Sequence, residues 1–566
     1  MSLRDEVREQ LTGPGGPFEI VEEDVLGERV PVFKNRLRSL RELLERTEAL
    51  GDTEYMVCGE WRIGYAQHLR YVASAARALR EVYGVAAGDR VAILAANCPE
   101  WAIACWATLS LGGIVVAMNG WWTPDEIDYG LRDSEPRLLI GDARRIERLA
   151  GLDVDVPVVE VETGFRALLE HAPEAPLPDQ PIAEDDPAVI LYTSGTTGRP
   201  KGALASHRGI LGFIQCTLAS GTETAVLEAR RRAAEGSESA PSQSQRPGQQ
   251  IVLATSPMFH LSGLYSMILM QLAVGGKMVL REQSRFEPAD ALRLIEKERV
   301  TIWAPLGGMA TRTAGFEGRG DYDLSSVRNV GFGGAPTSPA VQKAMRELFP
   351  NAARSMGMGY GSSETVASVA GIRGAEFLQH PESTGRVTPT CQLEIRGEDG
   401  RPLPEGEEGE IHVRSAYNIL EYWRKPEATA AAFKPGRWLA TGDIGRFEDG
   451  LLYINSRARD MILRNAENIY PVEIEYRLDA HPEVAESAVI GVDHPEWGQE
   501  VQAIVVPAAG AEIDTDALGR WCGETLAAYK LPTRWEIRAE PLPRNASGKV
   551  LKNVLRGDAE SAFVEE

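Results

Sequence analysis

Short aliphatic and β-branched runs at Arg90–Leu94, Arg137–Ile140, Ala188–Tyr192 and Ile251–Thr255 alternate with amphipathic helical patterns at 288–298 and 338–348. Strands that are apolar on both faces need cover on both faces, and intervening helices supply it. The alternation therefore predicts α/β architecture with buried, mainly parallel sheets. From Glu410 the strands shorten and turns multiply, as in Gly409–Arg414 and Gly450–Ile454. Beyond Ser456 a compact α+β segment is predicted, with helices at 472–478 and 516–528 and strands at 485–492 and 501–506. A chain of 566 residues, 43% of them hydrophobic, exceeds what one core usually serves. A domain boundary is therefore placed at Arg459-Asp460, dividing the chain into 1–458 and 459–566. Residues 223–250 look inserted, and the Ser-, Gln- and Pro-rich second half of that segment is expected to be a mobile surface loop.

The net charge of −22 opposes binding to nucleic acid or to an anionic membrane surface, so an anionic nucleotide would need a local site. The six cysteines lack metal-ligand spacing and the density of a disulfide scaffold, and a reducing cytoplasm fits best. No export signal is expected, since the N-terminus is charged and lacks an apolar core. Integral membrane association is not expected either, because the most apolar stretch, Trp101–Val116, is broken by Gly112 and Gly113.

The sharpest local signal is Leu191-Tyr-Thr-Ser-Gly-Thr-Thr-Gly-Arg-Pro-Lys-Gly202, directly after a predicted buried strand. Gly195, Gly198 and Gly202 let backbone N–H groups approach an anion, and Thr193, Ser194, Thr196 and Thr197 add hydroxyls. Lys201 supplies a positive charge near phosphates. The spacing is not that of GxxxxGK[ST], which excludes the usual P-loop.

This string resembles the signature of the adenylate-forming superfamily, which comprises acyl-CoA synthetases, luciferases and peptide-synthetase adenylation domains. Further matches follow in order over nearly the whole chain: Asn97–Glu100, Gly112–Asn119, Thr123–Glu126, Pro257–His260, Gly333-Gly-Ala-Pro336, Tyr360-Gly-Ser-Ser-Glu364, Thr441-Gly-Asp443, Ser456–Asp460, Glu467–Pro471 and Pro543–Lys549. The pattern is most like that of bacterial fatty-acid-type acyl-CoA ligases. It implies a large N-terminal domain of two α/β sheets and a distorted β-barrel, followed by a small mobile α+β domain.

The resemblance also implies roles. Gly333, Gly334, Ala335 and Pro336 would line the adenine side, with Tyr360, Gly361, Ser362 and Ser363, and Tyr360 offers a flat face to the base. Asp443, an acceptor only, suits the ribose diol, and Arg457 would contact the sugar or a phosphate. Glu364, with Thr196, would hold the Mg²⁺ that accompanies ATP. Lys549 is the expected mobile catalytic lysine, stabilising charge on the α-phosphoryl group. His260 takes the position of a gate between acyl pocket and CoA tunnel, and Arg459 and Asp460 that of the hinge. Met258, Gly307, Gly331, Met356 and Met358 are expected at the acyl pocket, whose small and soft walls suit a medium or long aliphatic acid or a bulky one. Arg464, Asn465, Ala466 and Glu467 are expected at the CoA tunnel, where many relatives carry Ser-Gly-Gly-Glu-Asn. The two missing glycines put passage of the pantetheine arm in doubt at Ala466, because alanine tolerates positive φ poorly.

The implied reaction uses ATP and a carboxylic acid to form acyl-AMP and pyrophosphate, then transfers the acyl group to CoA with release of AMP. A free-standing amide ligase remains the alternative acceptor chemistry. A modular peptide synthetase is disfavoured because no phosphopantetheine-serine motif follows Lys549, and a non-catalytic nucleotide sensor is disfavoured by the presence of Lys549, Glu364 and Asp443. A homodimer is left open.

Overall fold

The computed structural model describes residues 2–193, 199–234, 248–282, 285–333, 337–457, 460–464, 467–494, 497–545 and 548–557. Two large sheets dominate the first 390 residues. In the seven-stranded sheet, Pro187–Thr193, Ile114–Ala117, Arg90–Leu94, Leu138–Gly141 and Val158–Glu160 lie parallel in that order. Lys201–Ser206 and then Glu421–Tyr422 extend the sheet antiparallel beyond Pro187–Thr193. The nine-stranded sheet has a parallel centre running through Glu54–Cys58, Lys277–Leu280, Ile251–Ala254, Ile302–Trp303, Asn329–Gly333 and Gly357–Ser362, with antiparallel strands at both edges.

One core joins the two sheets. Helix Pro99–Ser110 is buried along almost its whole length, and its Trp101 and Trp106 belong to the apolar cluster that holds Ile93 and Val189 of one sheet and Met56 and Leu280 of the other. A helix enclosed on all sides needs no polar face, which is why this stretch reads as uniformly apolar. A five-stranded antiparallel sheet, from Cys391–Arg396 to Leu451–Arg457, occupies the region expected as a distorted barrel. The last sheet is built from Ile462–Arg464, Glu467–Ile469, Val484–His494, Gly498–Pro507 and Arg534–Ile537 and has its own core around Ile474, Leu478, Val489 and Val501. The chain thus carries a large N-terminal body of several sheets and a smaller C-terminal α+β unit.

The expected insertion at 223–250 needs correcting in its first half. Helix His207–Ala234 runs straight through residue 223. Glu223 is buried and paired with Arg8 at 3.1 Å, and Leu227 packs against Val7 and Leu11 of helix Leu3–Thr12. Two helical turns that bury a leucine and a paired carboxylate belong to the body of the fold. The Ser- and Gln-rich residues 235–247 lie outside the described residues. His207–Ala234 is also the one described helix long and apolar enough to cross a membrane, and 50% of its most apolar window is buried within the protein. The helix expected at 516–528 ends early, spanning Thr515–Gly523, and a 3₁₀ turn follows at Ala528–Lys530.

Candidate active site

Antiparallel pairing of Pro187–Thr193 with Lys201–Ser206 places Thr193 opposite Lys201, which brings the two ends of the Ser/Thr/Gly string together one strand in from the edge of the sheet. Of this string, Ser194, Gly195, Thr196, Thr197 and Gly198 lie outside the described residues. The residues that follow are anchored: Tyr129 donates its hydroxyl to the carbonyl of Pro200 at 3.0 Å, and the Arg199 guanidinium lies 5.1 Å from the centre of the Tyr129 ring.

Lys201 and Glu364 come together through a residue that the motifs do not mark. The Lys201 ammonium lies 5.1 Å from the centre of the Tyr422 ring, and the Tyr422 hydroxyl donates to Glu364 Oε1 at 3.0 Å. Burial and the neighbouring carboxylate push the Tyr422 phenol well up, so it stays protonated as a donor. Among the described residues no three His, Cys, Asp or Glu side chains gather as a metal cage. Glu364 would thus hold a metal ion as a single carboxylate, which suits the Mg²⁺ that accompanies nucleotide phosphates.

Of the two residues expected to hold the nucleoside, Tyr360 lies on strand Gly357–Ser362 and Asp443 on strand Trp438–Glu448, and the Tyr360 hydroxyl donates to Asp443 Oδ2 at 2.8 Å. Asp443 also sits opposite Arg457 in the antiparallel register. Gly333 ends a strand in register with Gly359, while Gly334, Ala335 and Pro336 lie outside the described residues. Gly361, Ser362 and Ser363 lead from Tyr360 to Glu364, and a reciprocal pair of hydrogen bonds between Ser362 and Thr365 fixes that turn. Buried Val366 follows at φ 58°, a left-handed conformation costly for a β-branched residue and concentrated at functional sites.

Met258, Met356 and Met358 are buried in apolar clusters, Met258 in the core shared by the sheets and the other two beside Phe332 and Trp303. A Cβ at Gly331 would make an ordinary van der Waals contact with Ala304 at 3.7 Å, so a small side chain fits there. Gly307 makes room for something other than an acyl chain: its neighbour is the backbone of Gly548, and a Cβ at 307 would stand 2.4 Å from the Gly548 carbonyl oxygen. That contact seats the Lys549 loop on the N-terminal body. The loop is braced internally by Arg544, which donates to the Gly548 carbonyl at 2.8 Å and to Glu486 at 2.9 Å, and by the Asn545 side chain, which accepts from the Lys549 N–H at 2.9 Å. Tyr470 of the C-terminal unit also donates to Glu408 of the N-terminal body at 2.5 Å.

Of the pair expected at the hinge, Arg459 lies outside the described residues, and Asp460 is bridged to Arg556 at 3.3 Å. Arg464 donates to the Tyr529 carbonyl at 2.9 Å and covers the Trp497 ring at 4.4 Å, so it is engaged within the C-terminal unit. Asn465 and Ala466 lie outside the described residues, and exposed Glu467 faces Arg464 across the strand pair.

His260 caps the short helix Leu261–Gly263, with Nδ1 3.0 Å from the Ser262 hydroxyl. Desolvation lowers its pKa from 6.5 to about 4, leaving a neutral imidazole at physiological pH, and burial lowers His207 to about 4 and His68 to about 3. For each, the folded value lies below the unfolded one. Their stabilising contribution is therefore complete above about pH 6.5 and is lost as pH falls through the folded value. Thermal melting followed from neutral pH down to about pH 4 should show Tm falling across that window. NMR of His260 should show protonation only near its lower end, and an imidazole titrating near 6.5 would contradict this placement.

The sequence is similar to known proteins over most of its length. Residues 43–423 match the AMP-binding enzyme family and residues 473–549 the AMP-binding enzyme C-terminal domain. A feruloyl-CoA synthase of Amycolatopsis sp. is 34% identical over 88% of this chain and 94% of its own length. The long-chain-fatty-acid–CoA ligase FadD13 of Mycobacterium tuberculosis is 32% identical over 88% of this chain and 93% of its own. Among solved structures, the amide bond synthetase McbA of Marinactinospora thermotolerans superposes with a TM-score of 0.77 at 27% identity, over 92% of this chain and 99% of that one.

Proposed function

Since the chain belongs to the AMP-binding enzyme family, as an acid–thiol ligase of the AMP-forming kind, we propose that it activates a hydrophobic carboxylic acid and passes it to CoA. The carboxylate oxygen attacks the α-phosphorus of ATP, forming the acyl–phosphate bond and expelling pyrophosphate. The CoA thiolate then attacks the acyl carbonyl, forming the thioester and expelling AMP, and the thiol proton goes to solvent.

In this reading Tyr360 and Asp443 hold the nucleoside, with Gly333–Pro336, Gly361, Ser362, Ser363 and Arg457 around it. Residues 193–198 and Lys201 cradle the phosphates. Lys549 neutralises charge developing on the α-phosphoryl group. Glu364 and Thr196 are the residues that would hold Mg²⁺, which when bound screens the phosphate charge and helps pyrophosphate leave. His260, neutral, gates the passage between acid and thiol, with Met258, Gly331, Met356 and Met358 on the acyl side. Residues 459–566 form the mobile unit, hinged at Arg459 and Asp460.

The observation that carries this reading is the backbone contact of Gly548 with Gly307, which presents the Lys549 loop to the N-terminal body. For the acid we propose a medium- or long-chain fatty or a bulky aromatic one, in keeping with relatives named for feruloyl and fatty acyl products. The amide alternative is kept because the structural relative McbA is an amide bond synthetase. The test is a panel of fatty, phenylpropanoid and other aromatic acids assayed for pyrophosphate release, with CoA, simple amines or no acceptor, and mass spectrometry of the products. Thioester is expected. Amide formation with negligible thioester would transfer the chain to the amide-forming class, and absence of pyrophosphate release with every acid would overturn adenylation itself.

A further inference from the structure

Lys201 and Glu364 carry opposite charges in the same corner of the site, yet they form no direct ion pair. Had they closed on each other, each would neutralise the charge that the other reading needs for phosphate and metal. What stands between them is Tyr422. Its hydroxyl meets Glu364 Oε1 at 3.0 Å while its ring face lies 5.1 Å from the Lys201 ammonium.

The ring is held from several sides. Tyr422 is 8% exposed, its strand pairs with the one that begins at Lys201, with Ala203 opposite Tyr422, and its N–H donates to Thr429 Oγ1 at 3.0 Å. The Glu364 backbone is tied into the same segment, its carbonyl accepting from the Ile419 N–H at 2.9 Å. Few side chains could bridge these charges without competing for either. A phenol donates one directed hydrogen bond to a carboxylate oxygen, and its π-face attracts a cation without removing that cation's N–H donors.

We propose that Tyr422 is a positioning residue for ATP: it separates Lys201 from Glu364, orients one carboxylate oxygen of Glu364, and leaves the other for the metal that accompanies the phosphates. This rests on the adenylating reading above, and it assigns a function to a residue outside the motifs. The hydroxyl acts on the metal side through Glu364, and the ring acts on the phosphate side through Lys201, so the two contributions can be separated.

The test uses Tyr422→Phe, which keeps the ring and removes the hydroxyl, and Tyr422→Leu, which removes both. Binding of ATP to the full chain is measured by calorimetry with EDTA and with Mg²⁺, Mn²⁺ binding to the ATP complex by electron paramagnetic resonance, and pyrophosphate release as a function of Mg²⁺. Tyr422→Phe should weaken Mn²⁺ binding and raise the half-saturating Mg²⁺ concentration by about 10- to 100-fold, the usual cost of losing a hydrogen-bond partner of a metal-binding carboxylate. Its metal-free ATP binding should stay near that of the wild type. Tyr422→Leu should weaken metal-free ATP binding as well. In a Glu364→Gln background, Tyr422→Phe should add little, because the carboxylate it orients is gone. A Phe variant that melts like the wild type and shows wild-type Mn²⁺ binding would overturn the proposal. So would one whose defect is equal with and without metal, or undiminished in the Glu364→Gln background. Failure of the adenylating reading would appear separately, as a wild-type chain that binds Mg·ATP but releases no pyrophosphate with any acid.

Discussion

Replacing Lys549 by alanine is expected to slow acyl-AMP formation by roughly 10²- to 10³-fold, the scale set by removing one preorganised donor from a developing anion. Binding of ATP should change little, because the contribution of this charge grows as the α-phosphoryl group becomes more negative in the transition state. The fold should survive. The loop is held by Arg544, which reaches Gly548 and Glu486, and by the Asn545 side chain, which meets the Lys549 backbone N–H. None of these bonds uses the Lys549 ammonium. Thioester formation from acyl-AMP supplied ready-made should likewise be far less affected, since phosphoryl chemistry is already complete. The measurement is single-turnover pyrophosphate release beside single-turnover thioester formation on one preparation. Pyrophosphate release at the wild-type rate would remove Lys549 from the chemistry.

A methyl group placed on Gly307 should produce a comparable defect from the opposite side of the contact. Gly307 has φ 50°, and its added Cβ would lie 2.4 Å from the Gly548 carbonyl oxygen, a distance that backbone on backbone cannot relieve by rotating a side chain. The docked loop must shift, and Lys549 shifts with it. Displacement of a reacting group by about 1 Å costs on the order of 10²-fold in rate, and the strained dihedral adds about 1 to 3 kcal/mol of destabilisation. Gly307→Ala should therefore lose acyl-AMP formation by about two orders of magnitude while still binding ATP. The neighbouring Gly308→Ala is the control, because a Cβ there would meet nothing nearer than Arg544 at 3.7 Å. If both variants adenylate at the wild-type rate, the contact between Gly307 and Gly548 has no part in the reaction.

What the sequence determined by itself was the set of local elements and the motifs they carry. The pattern at 288–298 became helix Pro288–Glu298, and the run at 188–192 became part of strand Pro187–Thr193, because helix and strand periodicity are written into consecutive residues. Parallel sheets followed from strands that are apolar on both faces. Tertiary structure alone decided which motif residues meet. Tyr360 reaches Asp443 across 83 positions and Tyr422 reaches Glu364 across 58, and neither separation has a period that one sequence could reveal. Tyr422 in particular carries no local sign of its position, which comes from an edge strand pairing two residues beyond Lys201. The same limit explains residues 223–234, which looked inserted: the arginines and leucine of a helix some 215 positions earlier in the chain make their burial favourable. Propensity and pattern act between neighbours in sequence, whereas strand register, ion pairing and close backbone contact act between neighbours in space, and the geometry of this site is set by the second kind.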